Sequence, residues 1–257
     1  MKIYSWNMLF RNRELDRAFQ FISETDFDIF CLQEVPEEFL KRLQTLSCFI
    51  AFRTERELLY KKGLLHNYIV ILSKHIITSD GEIPHPDYLS LLPLRTRLFM
   101  QFMPFELFAR VRDRRSLCVD ITVHGVSMQV FNLHLILAQP AWRLREFETA
   151  MTKRDTSRPT IVCGDFNILE SPKISILNWL LSGHMSDALL WTRERNRIEK
   201  YFATHGLTNP LHGKNTHPLS RSQLDHILVS HSFSIKNAEV LTDRIGSDHR
   251  LIRVEVA

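Results

Sequence analysis

Glycine, proline and cysteine are scarce in this chain, and each shortage excludes a kind of protein. The 8 glycines and 10 prolines are 18 of the 257 residues, about 7%, against roughly 12% in average proteins. Long disordered or low-complexity segments are therefore not expected. The four cysteines, Cys31, Cys48, Cys118 and Cys163, contain no Cys-x-x-Cys pair, which excludes the usual zinc-ribbon and thiol-exchange motifs and predicts buried free thiols.

Long hydrophobic runs are also missing. No stretch of about 18 uncharged apolar residues occurs, and the first residues, MKIYSWN, lack the apolar core of a secretory signal. We therefore expect a soluble, cytoplasmic protein. With no internal repeat and no flexible linker, residues 1–257 are expected to form a single domain, acting as a monomer. The net charge of +4 permits an anionic substrate but is too small for a surface that coats nucleic acid.

Short apolar, β-branched runs alternate with segments of helical spacing. The runs predict strands at residues 2–6, 28–33, 68–73, 117–123, 127–135, 160–163, 224–230 and 251–256. The helical spacing predicts helices at residues 15–22, 39–46, 139–152 and 174–181, the last with Ser171 and Pro172 as its N-cap and first turn. His124-Gly125 indicates a hairpin between two of the strands. The fold class is therefore α/β, with mixed sheets.

Residues 76–108 are rich in leucine, phenylalanine and methionine but have neither strand nor helix periodicity. The simplest interpretation is a helical insertion that packs on the core. The functional alternative is an apolar lobe beside the site that contacts a lipid or a hydrophobic part of the substrate.

Acidic, amide and imidazole side chains recur at the ends of the predicted strands. They are Asn7, Glu34, His134, Asp165 with Asn167, Asp225, and Asp248 with His249. We expect them at the C-terminal ends of the strands, where open α/β folds gather the groups that contact ligands. Any one of them is more often a turn former or a cap, but six such segments together favour a shared polar site.

Strand alternation makes two of these carboxylates costly. Glu34 is predicted to share a face with Phe30 and Leu32, and Asp225 to share one with Ile227 and Val229. An unpaired charge beside a packed core costs several kcal/mol, roughly. Each carboxylate must therefore find a metal ion, a histidine or a hydrogen-bond donor.

The blocks SWN, LQEV, NLHL, GDFN, QLDHILVS and GSDHR occur in this order along nearly the whole chain. In this combination the sequence resembles the endonuclease/exonuclease/phosphatase superfamily, which contains pancreatic-type DNases, abasic-site endonucleases, sphingomyelinases and inositol-phosphate phosphatases. The resemblance implies a DNase-I-like four-layer α/β sandwich, in which two mixed β-sheets pack face to face between outer helices. It also implies hydrolysis of a phosphate ester, with a diester favoured, by an activated water.

The resemblance also implies a role for each block. Glu34 would bind Mg²⁺ or Mn²⁺, assisted by Asn7 and Asp248, while Asp165 would orient and deprotonate the attacking water. Asn167 would donate a hydrogen bond to the phosphoryl group. His249, paired with Asp225, would stabilise the charged transition state, and His134 would contact the phosphate or protonate the leaving group.

Departures from individual subfamilies narrow the substrate only in part. Leu9 stands where abasic-site endonucleases usually carry aspartate, and His134 stands where they use tyrosine. GDFN differs from the GDTN of tyrosyl-DNA phosphodiesterases, and residues 223–226 differ from the Trp-Cys-Asp-Arg block of inositol-polyphosphate 5-phosphatases. The candidate substrates that remain are a diester in nucleic acid and a diester in a lipid such as sphingomyelin.

Two further alternatives concern charge and activity. The arginines within residues 110–115 and 193–197 either follow a phosphate backbone or, because acids are interleaved, form a solvated face. A catalytically silent binding module is less favoured, because such relatives usually lose the glutamate or the final histidine, and both Glu34 and His249 are present.

Overall fold

The computed structural model describes residues 1–60, 63–88, 91–102, 111–172 and 174–257. In chain order its strands are β1 (Lys2–Asn7), β2 (Ile29–Pro36), β3 (Phe49–Tyr60), β4 (Gly63–Ser73), β5 (Ile76–Pro84), β6 (Val111–Arg112), β7 (Arg115–Val123), β8 (Val126–His134), β9 (Thr160–Asp165), β10 (Leu207–Thr208), β11 (Asp225–Ser230), β12 (Ile235–Val240) and β13 (Ile252–Val256). Its helices are α1 (Leu15–Glu24), α2 (Glu37–Leu43), α3 (Leu94–Phe102), α4 (Pro140–Met151), α5 (Ser175–Leu180), α6 (Met185–Leu189) and α7 (Arg193–Thr204).

The strands form two sheets. One has seven strands in the order β12-β13-β1-β2-β4-β3-β6, and the other has six in the order β10-β11-β9-β8-β7-β5. Each sheet contains one parallel pair, β1–β2 in the first and β8–β9 in the second, and its other pairs are antiparallel. The prediction of mixed sheets is confirmed.

Three apolar layers hold the sheets and helices together. Between the sheets, side chains such as Ile71 and Ile227 are fully buried. Outside the seven-stranded sheet, α1 and α2 pack on a cluster around Trp6, and outside the six-stranded sheet α4 and α7 pack on Phe166. The result is the four-layer α/β sandwich that the resemblance implies.

The predicted strands and helices are present, with shifts of a few residues at their ends, and the β7–β8 hairpin turns at His124-Gly125 as expected. One helix start was wrong. Ile174 N donates to Ser171 O, which closes a separate turn, and α5 begins only at Ser175. Ser171 and Pro172 therefore precede the helix and do not cap it. Strands β3, β5, β6, β10 and β12 and helices α6 and α7 were not predicted, while α3 lies in the segment interpreted as a helical insertion.

The segment 76–108 that lacked periodicity contains two different elements. Its first nine residues are β5, an edge strand paired with β7, and residues 94–102 are α3. Leu92, between them, is buried in a cluster with Tyr88 and Trp142. Residues 89, 90 and 103–108 lie outside the described part of the chain. No helix within that part is long and apolar enough to cross a bilayer.

Candidate active site

Three of the predicted polar residues lie side by side on the six-stranded sheet. His134 ends β8 and Asp165 ends β9, and the parallel register places them opposite each other. Asp225 begins β11 and is opposite Asp165 in the antiparallel register. Asp165, Asp225 and His134 share their faces with Cys163, Ile227 and Val130 of the inner core, so all three side chains point between the sheets.

The expectation that every polar residue follows a C-terminal strand end was wrong for two segments. Asp225 is the first residue of β11, and residues 247–249 precede β13. Because β11 is antiparallel to β9 and β13 is antiparallel to β1, their N-terminal ends meet the C-terminal ends of β9 and β1. Antiparallel pairing therefore brings these residues to the same edge of the sandwich.

Glu34 reaches this edge through a β-bulge in β2. The pairing of β2 with β4 shifts register between Leu32 and Val35, and Glu34 has φ of 57°. Phe30 and Leu32 pack in the outer cluster under α1 and α2, so the prediction that Glu34 shares their face was wrong. The bulge turns its carboxylate from the helical layer to the inner site.

Asp165 is the point where the site residues meet. Its Oδ2 accepts a hydrogen bond from Asn7 Nδ2 at 3.0 Å and lies 3.6 Å from His134 Nε2 and 3.8 Å from His249 Nε2. Its Oδ1 accepts from the backbone N of Asn167 at 2.9 Å. This last contact is a turn typical of aspartate, and it is completed by Asn167 in the left-handed region with φ of 55°.

Seven of the eight predicted site residues line one cavity of about 520 Å³. They are Asn7, Glu34, His134, Asp165, Asn167, Asp248 and His249. Asp225 is fully buried behind His249, to which it is hydrogen bonded. The structure therefore places residues that are up to 242 positions apart, from Asn7 to His249, around one volume.

His249 and Asp225 form a buried imidazole–carboxylate pair at this cavity. His249 Nδ1 lies 2.9 Å from Asp225 Oδ2, and both residues are buried. Burial alone would lower the pKa of His249, but the carboxylates of Asp225 and Asp165 raise it to about 10. The imidazole is therefore a cation at neutral pH.

A second imidazole–carboxylate pair was not predicted. His134 Nδ1 lies 2.7 Å from Glu55 Oε1, and the other oxygen of Glu55 accepts from the backbone N of Glu34 at 2.7 Å. Burial opposes the charge on His134, but Glu55 and then Asp165 raise the pKa of His134 above its usual value. Burial likewise opposes ionisation of Glu55, but His134 and Arg56 lower the pKa of Glu55 to about 2.

Arg56 is the other residue that sequence reasoning missed. Its Nη2 lies 2.7 Å from Glu34 Oε1. The register of β3 with β4 shifts between Thr54 and Arg56, and this bulge lets the adjacent side chains of Glu55 and Arg56 both point to the site. Glu55 and Arg56 are charged residues in a strand that was not predicted, so nothing in the sequence indicated that they belong to the site.

Oxygen donors for a hard cation are present around Glu34. Asp248 Oδ1 is buried with no hydrogen-bond partner among the described residues, and Glu34 Oε2 accepts only a 3.2 Å bond from Phe10 N in the described contacts. Two other groups, His217–Asp248–His249 and Asp165–Asp225–His249, have their donor atoms within 4.8 Å of one another. Both include His249, which is hydrogen bonded to Asp225.

The predicted arginine stretches are partly internal. Arg114 is paired with Glu146, and the buried Arg195 is 2.6 Å from Glu170. Arg115 lies 3.7 Å from Glu82, and Arg197 lies over the ring of Tyr201. Arg110 lies outside the described residues. The arginines that can be followed are thus mostly engaged within the chain.

Comparison with known proteins agrees with this arrangement. The model of the Endonuclease/Exonuclease/phosphatase family matches residues 4–249, while no curated protein sequence matches the chain. A family protein from Leptotrichia buccalis C-1013-b is similar in structure, with a TM-score of 0.67 and 15% identity over 100% of this chain and 99% of that one.

Two further similar structures carry a named activity. A mannosyl-6-phosphatase from Bacteroides thetaiotaomicron VPI-5482 has a TM-score of 0.61 and 19% identity, over 100% of this chain and 99% of that one. A 3′ phosphatase from Neisseria, bound to a product DNA hairpin, has a TM-score of 0.60 and 19% identity with the same two coverages. At these identities the likeness establishes the shared fold and leaves the substrate open.

Proposed function

Because the chain belongs to the Endonuclease/Exonuclease/phosphatase family and is therefore a hydrolase of phosphate esters, we propose that it cleaves a phosphodiester with the help of Mg²⁺ or Mn²⁺. The observation that carries the proposal is the convergence on Asp165 of Asn7, His134 and His249, all within 4 Å of one carboxylate oxygen. Acid–base groups and cations around one carboxylate are what phosphoryl transfer requires.

The donor set fits a hard divalent cation. Glu34 and Asp248 offer carboxylate oxygens at the cavity, and one oxygen of Asp248 lacks a hydrogen-bond partner among the described residues. Asn7 would bind through its Oδ1 only after its amide turns, because its Nδ2 now faces Glu34 and Asp165. When bound, the cation supplies positive charge to the phosphoryl oxygens.

The remaining residues divide the proton transfers. Asp165 is held by Asn7 and by the backbone of Asn167, so its carboxylate is oriented to accept a proton from the attacking water. The water oxygen bonds to phosphorus, the bond from phosphorus to the leaving oxygen breaks, and that oxygen takes a proton. The products are a phosphomonoester and an alcohol.

The two histidines supply charge and the last proton. His249, a cation beside Asp225, would stabilise the negative charge that builds on the phosphoryl group. His134, whose pKa is raised by Glu55, would carry the proton for the leaving oxygen. Asn167 donates one amide hydrogen to Leu135 O and has a second for a phosphoryl oxygen.

The four cysteines are free thiols. Free thiols are typical of reducing compartments, which supports the proposal that the chain acts in the cytoplasm.

Hydrolysis of bis(4-nitrophenyl) phosphate tests the assignment. Turnover is expected with Mg²⁺ or Mn²⁺ and should stop with excess chelator, and Asp165→Asn should lower kcat about 10²- to 10⁴-fold. Asp16→Asn is the matched control, because Asp16 on α1 has a side chain that is 99% exposed and does not line the cavity. Equal turnover by the two folded variants would refute the role of Asp165.

A further inference from the structure

The active-site cavity extends away from the carboxylates and histidines into a region that we call the apolar arm. It is lined by Tyr88, Leu92, Ile136, Leu137, Leu177 and Leu181. Hydrolysis at the polar end needs none of these side chains. A cavity of about 520 Å³ is in the size range of sites that enclose a whole small molecule, so there is room for more than a phosphate group.

The apolar arm begins directly beside the proposed chemistry. Leu135 follows His134 in the chain, and its carbonyl accepts the 2.9 Å hydrogen bond from Asn167 Nδ2. Ile136 and Leu137 then line the cavity. An organic group attached to a phosphate at Asp165 would therefore lie next to the start of the arm.

The walls of the arm are packed against buried partners. Tyr88 stacks on Trp142 with ring centroids 4.5 Å apart, and both belong to one apolar cluster with Leu92 and Leu181. Gln139 N donates to Leu181 O at 2.9 Å, which ties the segment after β8 to the end of α5. The arm is thus built from packed segments of the described chain.

Charge in the described lining argues against a nucleic-acid strand. Its two guanidinium groups, Arg56 and Arg114, are already paired with Glu34 and Glu146. A polyanionic backbone needs several cations along its path. An uncharged aliphatic chain needs none, and it gains free energy from each methylene that leaves water.

We propose, building on the phosphodiesterase function above, that the substrate is the phosphate ester of a long aliphatic chain, with that chain seated in the apolar arm. Leu219 lines the same cavity and is 83% exposed, so it offers an apolar side chain at the rim. A chain longer than the arm would continue along this rim. The shared chemistry, a phosphate on an aliphatic chain, occurs both in soluble single-chain esters and in bilayer phospholipids.

A chain-length series tests the proposal. We expect kcat/KM for methyl, butyl and octyl 4-nitrophenyl phosphate, below their micelle concentrations and with Mg²⁺, to rise by about fourfold per methylene until the arm is full. Calorimetric titration with butyl and octyl phosphate should give the same trend in Kd, with a negative heat-capacity change. The titration does not depend on turnover.

The variant Leu177→Ser, in the arm, should reduce the octyl-to-methyl ratio of kcat/KM at least tenfold. Ile176→Ser is its matched control, since Ile176 is the adjacent residue of α5, is 58% exposed and does not line the cavity. Ile136→Ser is the second arm variant, to be used if Leu177→Ser does not fold. Both arm variants should weaken octyl phosphate binding, whereas Ile176→Ser should bind octyl phosphate as the wild type does.

The outcomes separate the two proposals. Turnover with no chain-length dependence overturns the aliphatic substrate and keeps the phosphodiesterase function. Chain-length-dependent binding without any turnover keeps the aliphatic ligand and overturns the phosphodiesterase function. Vesicles of phosphatidylcholine with phosphatidate distinguish the sources: arm-dependent vesicle binding indicates a bilayer lipid, and binding of octyl phosphate alone indicates a soluble ester. Binding of neither, or tighter salt-dependent binding of an oligonucleotide, overturns the proposal.

Discussion

His85 is a residue whose ionisation the fold suppresses. Its Nε2 lies 2.7 Å from Ser116 Oγ, and its Nδ1 is buried with no hydrogen-bond partner among the described residues. Burial lowers the pKa of His85 to about 4; Glu146 opposes this shift and Arg114 adds to it. In the unfolded chain the same ring titrates near ~6.5. The folded protein therefore binds fewer protons at this residue between these two values.

This difference predicts a loss of stability in weak acid. The contribution of His85 to the free energy of unfolding is fully present above pH 6.5 and is lost as the pH falls towards 4. The loss amounts to about 2 kcal/mol at pH 5. Urea unfolding between pH 5 and 7.5 should show the slope in the wild type and a smaller slope in His85→Gln. The exposed His231→Gln should keep the wild-type slope. Parallel curves for wild type and His85→Gln would contradict the prediction.

Residue identity alone was enough to predict which residues come together in part of the candidate site. The blocks containing Asp165, Asp225 and His249 predicted which residues belong together, and the structure places them within hydrogen-bond or ion-pair distance. Glu55 and Arg56 were out of reach, because their partners His134 and Glu34 come from other strands. Only the tertiary fold makes an ordinary Glu-Arg pair part of a site.

At the scale of elements, alternation predicted faces correctly until a bulge intervened. It holds for Asp225 with Ile227 along β11. It fails at Glu34 in β2, where an extra residue shifts the register. Strand β3 was missed altogether, because its bulge and its inward Glu55 interrupt the apolar pattern. The alternation of side chains along a strand is a local pattern, whereas a bulge depends on the pairing with the partner strand.

Two glycines at positive φ predict very different costs of an added methyl group. At Gly164 in β9, a Cβ would lie 1.8 Å from Leu133 O of the neighbouring β8, whereas at Gly125 in the hairpin turn it would meet nothing within 4 Å. Gly125→Ala should therefore cost only the left-handed strain, about 1–2 kcal/mol. Gly164→Ala should cost more, because the parallel pairing that places Asp165 opposite His134 must open.

Urea unfolding of both alanine variants gives the comparison. Gly125→Ala should remain folded with a lower midpoint, while Gly164→Ala should lose more of its unfolding free energy or fail to fold. Equal losses in the two variants would mean that the close approach of Leu133 to Gly164 relaxes at no cost.

At the scale of the whole molecule, the two sheets meet through polar as well as apolar contacts. Gln33 Nε2 donates to Asn132 Oδ1 at 2.7 Å between the sheets. The site lies beyond this contact, with Asn7 and Glu34 on one sheet and Asp165 on the other. The four-layer arrangement was predictable from the resemblance. For the apolar arm, the sequence offered only the alternative of an apolar lobe at residues 76–108, and Tyr88 and Leu92 of that segment do line the arm. Its other walls could not be predicted, because they come from segments whose proximity depends on how α3, α4 and α5 pack.

A cation bound at this edge would join segments that are far apart in the chain, and this predicts a global effect. The donor residues Asn7, Glu34 and Asp248 come together only in the folded state, so Mg²⁺ should bind the folded chain alone. Such binding stabilises by about 2.7 kcal/mol at 100 times Kd. The expected result is a rise in Tm of several degrees.

The measurement is thermal unfolding of the wild type and of Glu34→Gln with Mg²⁺ or with NaCl of equal ionic strength. Mg²⁺ should raise the Tm of the wild type and of the control Glu24→Gln, whose side chain is exposed at the end of α1. It should leave the Tm of Glu34→Gln close to the value in NaCl. An equal Mg²⁺ shift in Glu34→Gln would place the cation at other ligands, because removing one carboxylate charge from a small oxygen site should weaken Mg²⁺ binding strongly.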